Sequence, residues 1–183
     1  MKKIAAMMAD GFEEVEALAV IDILRRASIE ITMISVMGGR NQVTGAHGIT
    51  VMTDAVIEDI DFSHYDGIFL PGGMPGTNNL DKCGRLCDEI IRFNNERKLL
   101  AAICAAPKVY GRLGILNGKK ATCFPGFEND LLGAQTVHDR VVADGNVITS
   151  RGMGTAIDLG LKLVEILKGE GESKELARAI QYK

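Results

Sequence analysis

The stretch LLAAICAAP, residues 99–107, decides the fold of this chain. Its first five residues are apolar and follow a charged turn, which is typical of a short strand buried on both faces of a parallel sheet. From Ala105 onward apolar residues recur at helical spacing, and Pro107 suits the first turn of a helix, where its missing N–H has no partner to lose. The pattern therefore predicts that a strand ends and a helix begins at Cys104.

The position of Cys104 at this junction predicts a nucleophile. A strand that turns directly into a helix holds the residue between them in a tight bend, the nucleophile elbow, and directs its side chain out over the end of the sheet. The helix N-terminus behind the sulfur is expected to favour thiolate over thiol. A cysteine among alanines is also typical of a small buried hydrophobic position, but the strand–cysteine–helix order favours a functional thiol.

The rest of the chain alternates strand patterns with helix patterns. Further strands are predicted at 3–9, 29–36, 65–71, 120–125 and 146–150, a hairpin outside the main sheet at 42–52, and helices at 12–27, 83–95, 156–167 and 174–180. This order predicts one α/β domain over residues 1–183, with a mostly parallel sheet and helices on both faces. Ligands bind such folds beyond the carboxyl ends of the strands. The segments expected to meet there are Asp10-Gly11, Gly72-Gly73, Cys104 and Ser150-Arg151-Gly152.

Composition narrows the classes of partner. The 183 residues carry a formal net charge of -3, without the basic stripe that nucleic acid requires. No apolar run approaches the roughly 20 residues of a membrane span, and the start of the chain lacks a signal-peptide pattern, so we expect a cytoplasmic protein. Four irregularly spaced cysteines predict reduced thiols. Cys83 and Cys87 lie four residues apart, but no second Cys/His pair completes a metal site, so we expect none.

Glu16 is the second residue that the helix pattern of 12–27 singles out. Glu13 and Glu14 are expected to be solvated in the acidic first turn, whereas Glu16 lies almost in line with the apolar stripe of the helix. The expected stripe consists of Val15, Leu18, Ala19, Ile23 and Val20 or Leu24. Partial burial would raise the pKa of Glu16 and give a protonated acid that donates a hydrogen bond to a thiolate. The periodicity alone fits a solvated position equally well.

Four motifs give the chain a family resemblance. They are DGFEEVE at 10–16, LPGG at 70–73, AAICAAP at 101–107 and TSRGMGT at 149–155. Together, in this order and spacing, they resemble the DJ-1/ThiJ/PfpI superfamily, and more closely its branch that contains the Parkinson-disease protein. The resemblance extends over essentially the whole chain.

The resemblance implies a flavodoxin-like fold of the class I glutamine amidotransferase type, a three-layer sandwich, and a homodimer. It implies a reactive cysteine at Cys104 and a protonated partner at Glu16, which decides the question that periodicity leaves open. It also implies an anion hole formed by the N–H groups of Gly73 and Ala105, with Gly72 beside them in the pocket.

Ser150 and Arg151 are implied to lie in the pocket wall or in contacts across the dimer. The resemblance implies a cysteine-dependent enzyme that needs no cofactor or metal and acts on a small reactive carbonyl or a glycated substrate. The expected reaction is glyoxalase III-like conversion of methylglyoxal to lactate, or deglycation of glyoxal adducts. The alternative is an oxidative-stress sensor or redox-regulated chaperone that uses oxidation of Cys104.

The chain departs from related families at two positions. Protease-like and amidotransferase-like relatives place a histidine directly after the nucleophile, where this chain has Ala105, so a cysteine peptidase is disfavoured. In the Parkinson-disease protein a histidine precedes the proline matching Pro125, where this chain has Phe124. The three histidines of the chain, His47, His64 and His138, are expected at surface or loop positions.

Overall fold

A computed structural model describes residues 2–182, and the elements of this part of the chain alternate between strands and helices. The strands are β1 (Lys3–Met8), β2 (Glu30–Ser35), β3 (Gln42–Thr44), β4 (Thr50–Met52), β5 (Ala55–Val56), β6 (Gly67–Leu70), β7 (Leu99–Ile103), β8 (Lys120–Ala121), β9 (Gln135–Thr136), β10 (Val141–Asp144) and β11 (Val147–Ser150). The helices are α1 (Glu14–Arg26), α2 (Gly76–Lys82), α3 (Gly84–Asn95), α4 (Pro107–Arg112), α5 (Ala156–Lys168) and α6 (Glu170–Ala179). Short 3-10 turns occur at Ile57–Asp59, Phe62–His64, Glu128–Asp130 and Met153–Thr155.

The main sheet has seven strands in the order β10-β11-β7-β6-β1-β2-β5. The strand β10 runs antiparallel to β11 at one edge, and the other pairs are parallel. The five central strands have the flavodoxin-like order 2-1-3-4-5, counted along the chain, which confirms the predicted fold class. The predicted hairpin is also present, because β3 and β4 pair antiparallel outside the main sheet.

The sheet separates two apolar clusters, and β7 contributes to both. Leu100 and Ala102 pack on the side of α2, α3 and α4, while Ala101 and Ile103 pack on the side of α1 and α5. Side chains alternate between the faces of a strand, so a strand covered on both faces is apolar throughout. This three-layer arrangement explains why β7 has no polar residue before Cys104. Within residues 2–182, no helix combines the length and apolarity needed to cross a membrane.

The structure corrects several predicted boundaries. The helix expected at Cys104 begins only at Pro107 and has six residues, after a turn at 104–106. The helix α2 was not predicted, because its sequence GTNNLDK contains glycine and asparagines with weak helix propensity. The strand expected over 120–125 is reduced to β8. Val15 and Leu18 are exposed at 48% and 36%, so the apolar stripe of α1 is narrower than predicted.

Candidate active site

The four segments expected at the carboxyl edge of the sheet are joined there by backbone hydrogen bonds. The N–H of Gly76 donates to the carbonyl of Gly11 over 3.0 Å, which connects the loops after β6 and β1. The N–H of Cys104 donates to the carbonyl of Ser150 over 3.0 Å, which connects the ends of β7 and β11. The loops that carry the candidate residues are therefore held by the ends of neighbouring strands.

Cys104 forms the elbow that the sequence predicts. Its φ of +63° lies in the left-handed region, which costs an L-residue about 1–2 kcal/mol. The bend is held on both sides, because the N–H of Cys104 bonds to Ser150 and its carbonyl accepts from the N–H of Phe124 over 2.9 Å. Such strain persists only where the surroundings over-determine it, and it occurs preferentially at functional positions.

Glu16 lies directly beside this thiol. Its side chain is buried, with 1% of the residue exposed, and its Oε2 accepts a hydrogen bond of 3.0 Å from the N–H of Gly72. The carboxyl is also in hydrogen-bond contact with the Cys104 thiol and with the N–H of Met153. Burial raises the pKa of Glu16 to about 7, against the effect of these hydrogen bonds, which lower it. The carboxyl is therefore able to take up and release a proton near neutral pH.

The acidity of Cys104 is opposite to the one predicted from the helix N-terminus. Burial and the neighbouring charge of ionised Glu16 raise the pKa of the thiol to about 12. The N–H groups of Gly73 and Ala105 contact the sulfur and act in the other direction, but they are outweighed. The predicted net preference for thiolate was therefore wrong, because burial and the Glu16 charge outweigh the N–H donors at the sulfur. Protonation of Glu16 removes the repelling charge, so the two groups titrate as a pair.

Close packing around the pair requires glycine at residue 72. A Cβ there would lie 2.5 Å from Oε2 of Glu16 and 2.6 Å from the Cβ of Cys104. Gly73 follows with φ of +89°, a conformation that side chains rarely adopt. This backbone geometry brings the N–H of Gly72 to the carboxyl and the N–H of Gly73 to the sulfur.

The loop after β11 is anchored by Ser150 and Thr155. The Ser150 hydroxyl is fully buried, donates to the carbonyl of Arg140 over 2.8 Å, and lies 2.7 Å from the hydroxyl of Thr155. Thr155 in turn accepts from the N–H of Gly152 over 3.1 Å. The Ser150 side chain therefore has no surface for a pocket or dimer contact, which corrects the expectation for this residue. Thr155 was not singled out from the sequence, although it closes the TSRGMGT motif.

Arg151 lies in an open groove next to the site. It donates to the carbonyl of His138 over 3.0 Å, and both residues line a cavity of about 530 Å³ together with Phe124 and Met153. A Cβ at residue 152 would lie 3.1 Å from the ring of Phe124 and 3.8 Å from Oε1 of Glu16, so Gly152 is close to both side chains. None of the described groups that shift the pKa of the Cys104 thiol belongs to a histidine.

Glu14 and His47 form a second polar pair on the hairpin side. Glu14 is 3% exposed rather than solvated as predicted, because the 45–49 loop covers it. Its carboxylate accepts from the N–H of His47 over 2.7 Å and lies 2.9 Å from the Nδ1 of the same residue. With Glu13 these residues make the one group of three potential metal ligands among residues 2–182. Glu13 already caps α1, however, by accepting from the N–H of Glu16 over 2.6 Å.

The sequence matches the DJ-1/PfpI family over residues 2–166. Protein DJ-1 homolog B of Arabidopsis thaliana is 41% identical over 180 residues, which are 96% of this chain and 40% of that protein. A deglycase of Pyrococcus abyssi is 30% identical over 169 residues, or 91% of this chain and 99% of the relative. The structure of oxidized Toxoplasma gondii DJ-1 superposes with a TM-score of 0.95 at 33% identity, covering 100% of this chain and 99% of the other. The chain spans less than half the length of the two Arabidopsis thaliana relatives it matches.

Proposed function

Because this chain belongs to the DJ-1/PfpI family, we propose that it is a cysteine-dependent enzyme that converts small reactive carbonyls without a cofactor. The observation that carries the proposal is the pairing of the elbow thiol of Cys104 with the buried carboxyl of Glu16, whose pKa is raised to about 7. A nucleophile in contact with an acid–base group of near-neutral pKa is the arrangement that covalent catalysis requires.

The first step is addition of the thiol to the aldehyde carbon of an α-oxoaldehyde such as methylglyoxal. Ionised Glu16 accepts the thiol proton as the carbon–sulfur bond forms, and the neutral carboxyl that results no longer repels the thiolate. The negative charge developing on the aldehyde oxygen is stabilised by the N–H groups of Gly73 and Ala105. Glu16 then returns the proton it took from the thiol to this oxygen, which gives the hydroxyl of a hemithioacetal and restores the Glu16 carboxylate.

The second step transfers a proton between two carbons. The Glu16 carboxylate removes the hydrogen from the former aldehyde carbon, which gives an enediol, and returns a proton to the neighbouring carbon. The product is a thioester of a 2-hydroxy acid, which water hydrolyses to lactate and the free Cys104 thiol. Methylglyoxal and one water thus give lactic acid, with no external oxidant or reductant.

The same thiol fits a deglycation reaction. An amine adduct of methylglyoxal carries the amine and a hydroxyl on the former aldehyde carbon. Displacement of the amine by Cys104 forms the same hemithioacetal and releases the repaired amine. The name of the Pyrococcus abyssi relative supports this variant of the reaction.

The proposal includes a homodimer. Exposed apolar side chains occur on α1, on the β3–β4 hairpin, in the 3-10 turn at Met153–Thr155 and at the start of α5. They are Val15, Leu18, Ile49, Met52, Met153 and Ile157. Exposed apolar side chains of this number suit a permanent interface. Light scattering of the wild-type chain should give twice the mass of 19.7 kDa, and Leu18→Glu should give the single mass.

A redox sensor is the second candidate function. The Cys104 sulfur contacts a protonatable carboxyl and two N–H groups, and these donors would stabilise the oxygens of a sulfinic acid. One similar structure is of an oxidized protein. Mass spectrometry after mild peroxide treatment tests this candidate. A sensor accumulates sulfinate at Cys104 selectively, whereas equal oxidation of all four cysteines argues against it.

The test of the enzyme is lactate formation from methylglyoxal by metal-stripped protein. Wild type is compared with Cys104→Ala and with Cys83→Ala, a matched change at a partly exposed thiol on the α2–α3 junction. The proposal is supported if Cys104→Ala no longer forms lactate and Cys83→Ala forms it as wild type does. Absence of lactate and of amine repair in wild type rejects the enzyme and leaves the sensor.

A further inference from the structure

A cavity of about 710 Å³ lies at the end of the sheet opposite to Cys104. It is bordered by Leu99 at the start of β7 and by Asn146 just before β11, whereas the candidate active site follows the carboxyl ends of these two strands. Pockets that hold metabolites and other small ligands have volumes of this order. The cavity is therefore large enough for a ligand of its own.

Two cationic side chains of the cavity wall have no partner within the described chain. Arg97 and Lys119 both line the cavity, and neither forms an ion pair or a side-chain hydrogen bond with any of residues 2–182. The Nζ of Lys119 lies beside Gly145, where a Cβ would be 3.4 Å from it. The acidic residues next to Arg97 and to Gly145 in the sequence, Glu96 and Asp144, are engaged elsewhere. Glu96 binds Arg92 and Lys98, and Asp144 accepts from the N–H of Lys120.

Arg97 occupies a backbone position that favours glycine. It follows the end of α3 with φ of +56°, its N–H donates to the carbonyl of Asn94, and the chain then enters β7. Helices that end in this way usually have glycine at the left-handed residue, because a Cβ is strained there. An arginine at this position is a local cost to stability, which a role for its side chain would explain.

Amide groups complete the polar wall. Asn146 uses its Nδ2 to donate to Oδ1 of Asn94 over 3.3 Å and to the carbonyl of Lys98 over 3.0 Å. Because the Oδ1 of Asn94 is held in this way, its Nδ2 remains as a donor beside Arg97. The side chain of Asn117 adds a further amide to the same wall. The partly exposed Ile166 gives the cavity an apolar side.

We propose that this cavity binds the phosphate group of a small phosphomonoester. A phosphate dianion matches the two unpaired charges, because the guanidinium of Arg97 binds two oxygens at once and the ammonium of Lys119 supplies the second charge. The amides of Asn94 and Asn117 donate to the remaining oxygens, and the carbon part of the ligand lies against Ile166. The site is independent of the proposed chemistry at Cys104.

Glucose 6-phosphate is a suitable probe, with glucose as its neutral counterpart at matched ionic strength. Calorimetric titration of the wild-type protein should show saturable binding of glucose 6-phosphate and none of glucose. Arg97→Gly and Lys119→Gln should each weaken binding at least tenfold. Lys120→Gln, which changes a neighbouring exposed lysine outside the cavity, and Cys104→Ala should bind as wild type does.

The melting temperature separates loss of binding from loss of folding. Because glycine suits the left-handed backbone at residue 97, Arg97→Gly should keep or raise the melting temperature of the ligand-free protein while it loses the ligand. The proposal is rejected if wild type does not bind glucose 6-phosphate saturably, if glucose binds equally well, or if the double variant of Arg97 and Lys119 still binds.

Discussion

The N–H of Gly72 donates to Oε2 of Glu16 over 3.0 Å, and the same residue lies against the Cβ of Cys104. The loop after β6 thus determines how closely the carboxyl and the thiol approach each other. A glycine, rather than an acid–base side chain, sets the distance between the two reacting groups.

Gly72→Ala should therefore damage the site without unfolding the protein. The new Cβ would lie 2.5 Å from Oε2 of Glu16, so the carboxyl or the elbow must shift. A displacement of about 1 Å costs on the order of a hundredfold in rate. The measurement is kcat/KM for lactate formation. Gly84→Ala is the matched control, because a Cβ at residue 84 meets nothing within 4 Å, and an equal loss in both variants would contradict the explanation.

Glu16→Gln should abolish proton transfer between the two carbons. The amide keeps the size of the side chain but cannot take a proton, so kcat should fall by at least about a hundredfold. Because Glu16 also accepts the thiol proton in the addition step, the hemithioacetal at Cys104 should form more slowly too, which mass spectrometry after brief exposure to methylglyoxal would measure. Unchanged turnover would exclude Glu16 as the acid–base group.

The same residue should make stability depend on pH. The pKa of Glu16 is raised from 4.5 to about 7 in the folded protein, so the folded state binds more protons than the unfolded state between these values. Stability contributed by this group is present below pH 4.5 and is lost as the pH rises through about 7. The loss is at most about 3.5 kcal/mol, from about 1.4 kcal/mol per pKa unit over the rise from 4.5 to about 7.

Urea unfolding at pH 5 and pH 8 measures this loss. The free energy of unfolding of Glu16→Gln should exceed that of wild type by more at pH 8 than at pH 5, because glutamine never carries the buried charge. Ile91→Gln, a change at an exposed side chain of α3, serves as the control and should show no such pH dependence. A difference between Glu16→Gln and wild type that is constant across the range would refute a raised pKa.

Thr155→Val should alter the pH profile of Cys104 by moving the loop that carries Met153. The Thr155 hydroxyl accepts from the N–H of Gly152 over 3.1 Å and donates to the carbonyl of Gly152 over 2.9 Å. The N–H of the following residue, Met153, contacts the Glu16 carboxyl. Loss of that N–H contact would raise the pKa of Glu16 further. The pH midpoint of Cys104 alkylation by iodoacetamide should shift upward in Thr155→Val and return in Thr155→Ser. A lower rate without a shift would indicate a merely structural role.

Phe124→His restores the histidine that the Parkinson-disease protein has before its proline and tests what Phe124 changes at the pocket. The ring at residue 124 packs on Gly152 beside Glu16, so an imidazole there would bring a second acid–base group to the substrate. We expect lactate formation to rise about tenfold near pH 7. Phe124→Leu, which opens the mouth without adding a base, should not reproduce the gain. If both variants gain equally, access rather than proton transfer limits the rate.

The sequence was sufficient for the fold because its signals were local. The change of period at Cys104 predicted the elbow, and the run of apolar residues in β7 predicted a strand covered on both faces. The burial of Glu14 was missed because its partner His47 comes from a hairpin 33 residues away in the chain. The acidity of Cys104 was misjudged for a similar reason. The helix N-terminus is visible in the sequence, whereas the distance to a buried carboxyl is set only by the folded loops.

The backbone of the elbow belongs to the sheet itself. The amide of Cys104 continues the ladder between β7 and β11 by its bond to Ser150, with apolar layers on both sides. Amides in such a position exchange their hydrogen with solvent only when the whole domain opens. The proposed nucleophile is thus attached to backbone that we expect to be among the slowest to exchange, and its geometry should survive the local openings that loosen the surrounding loops.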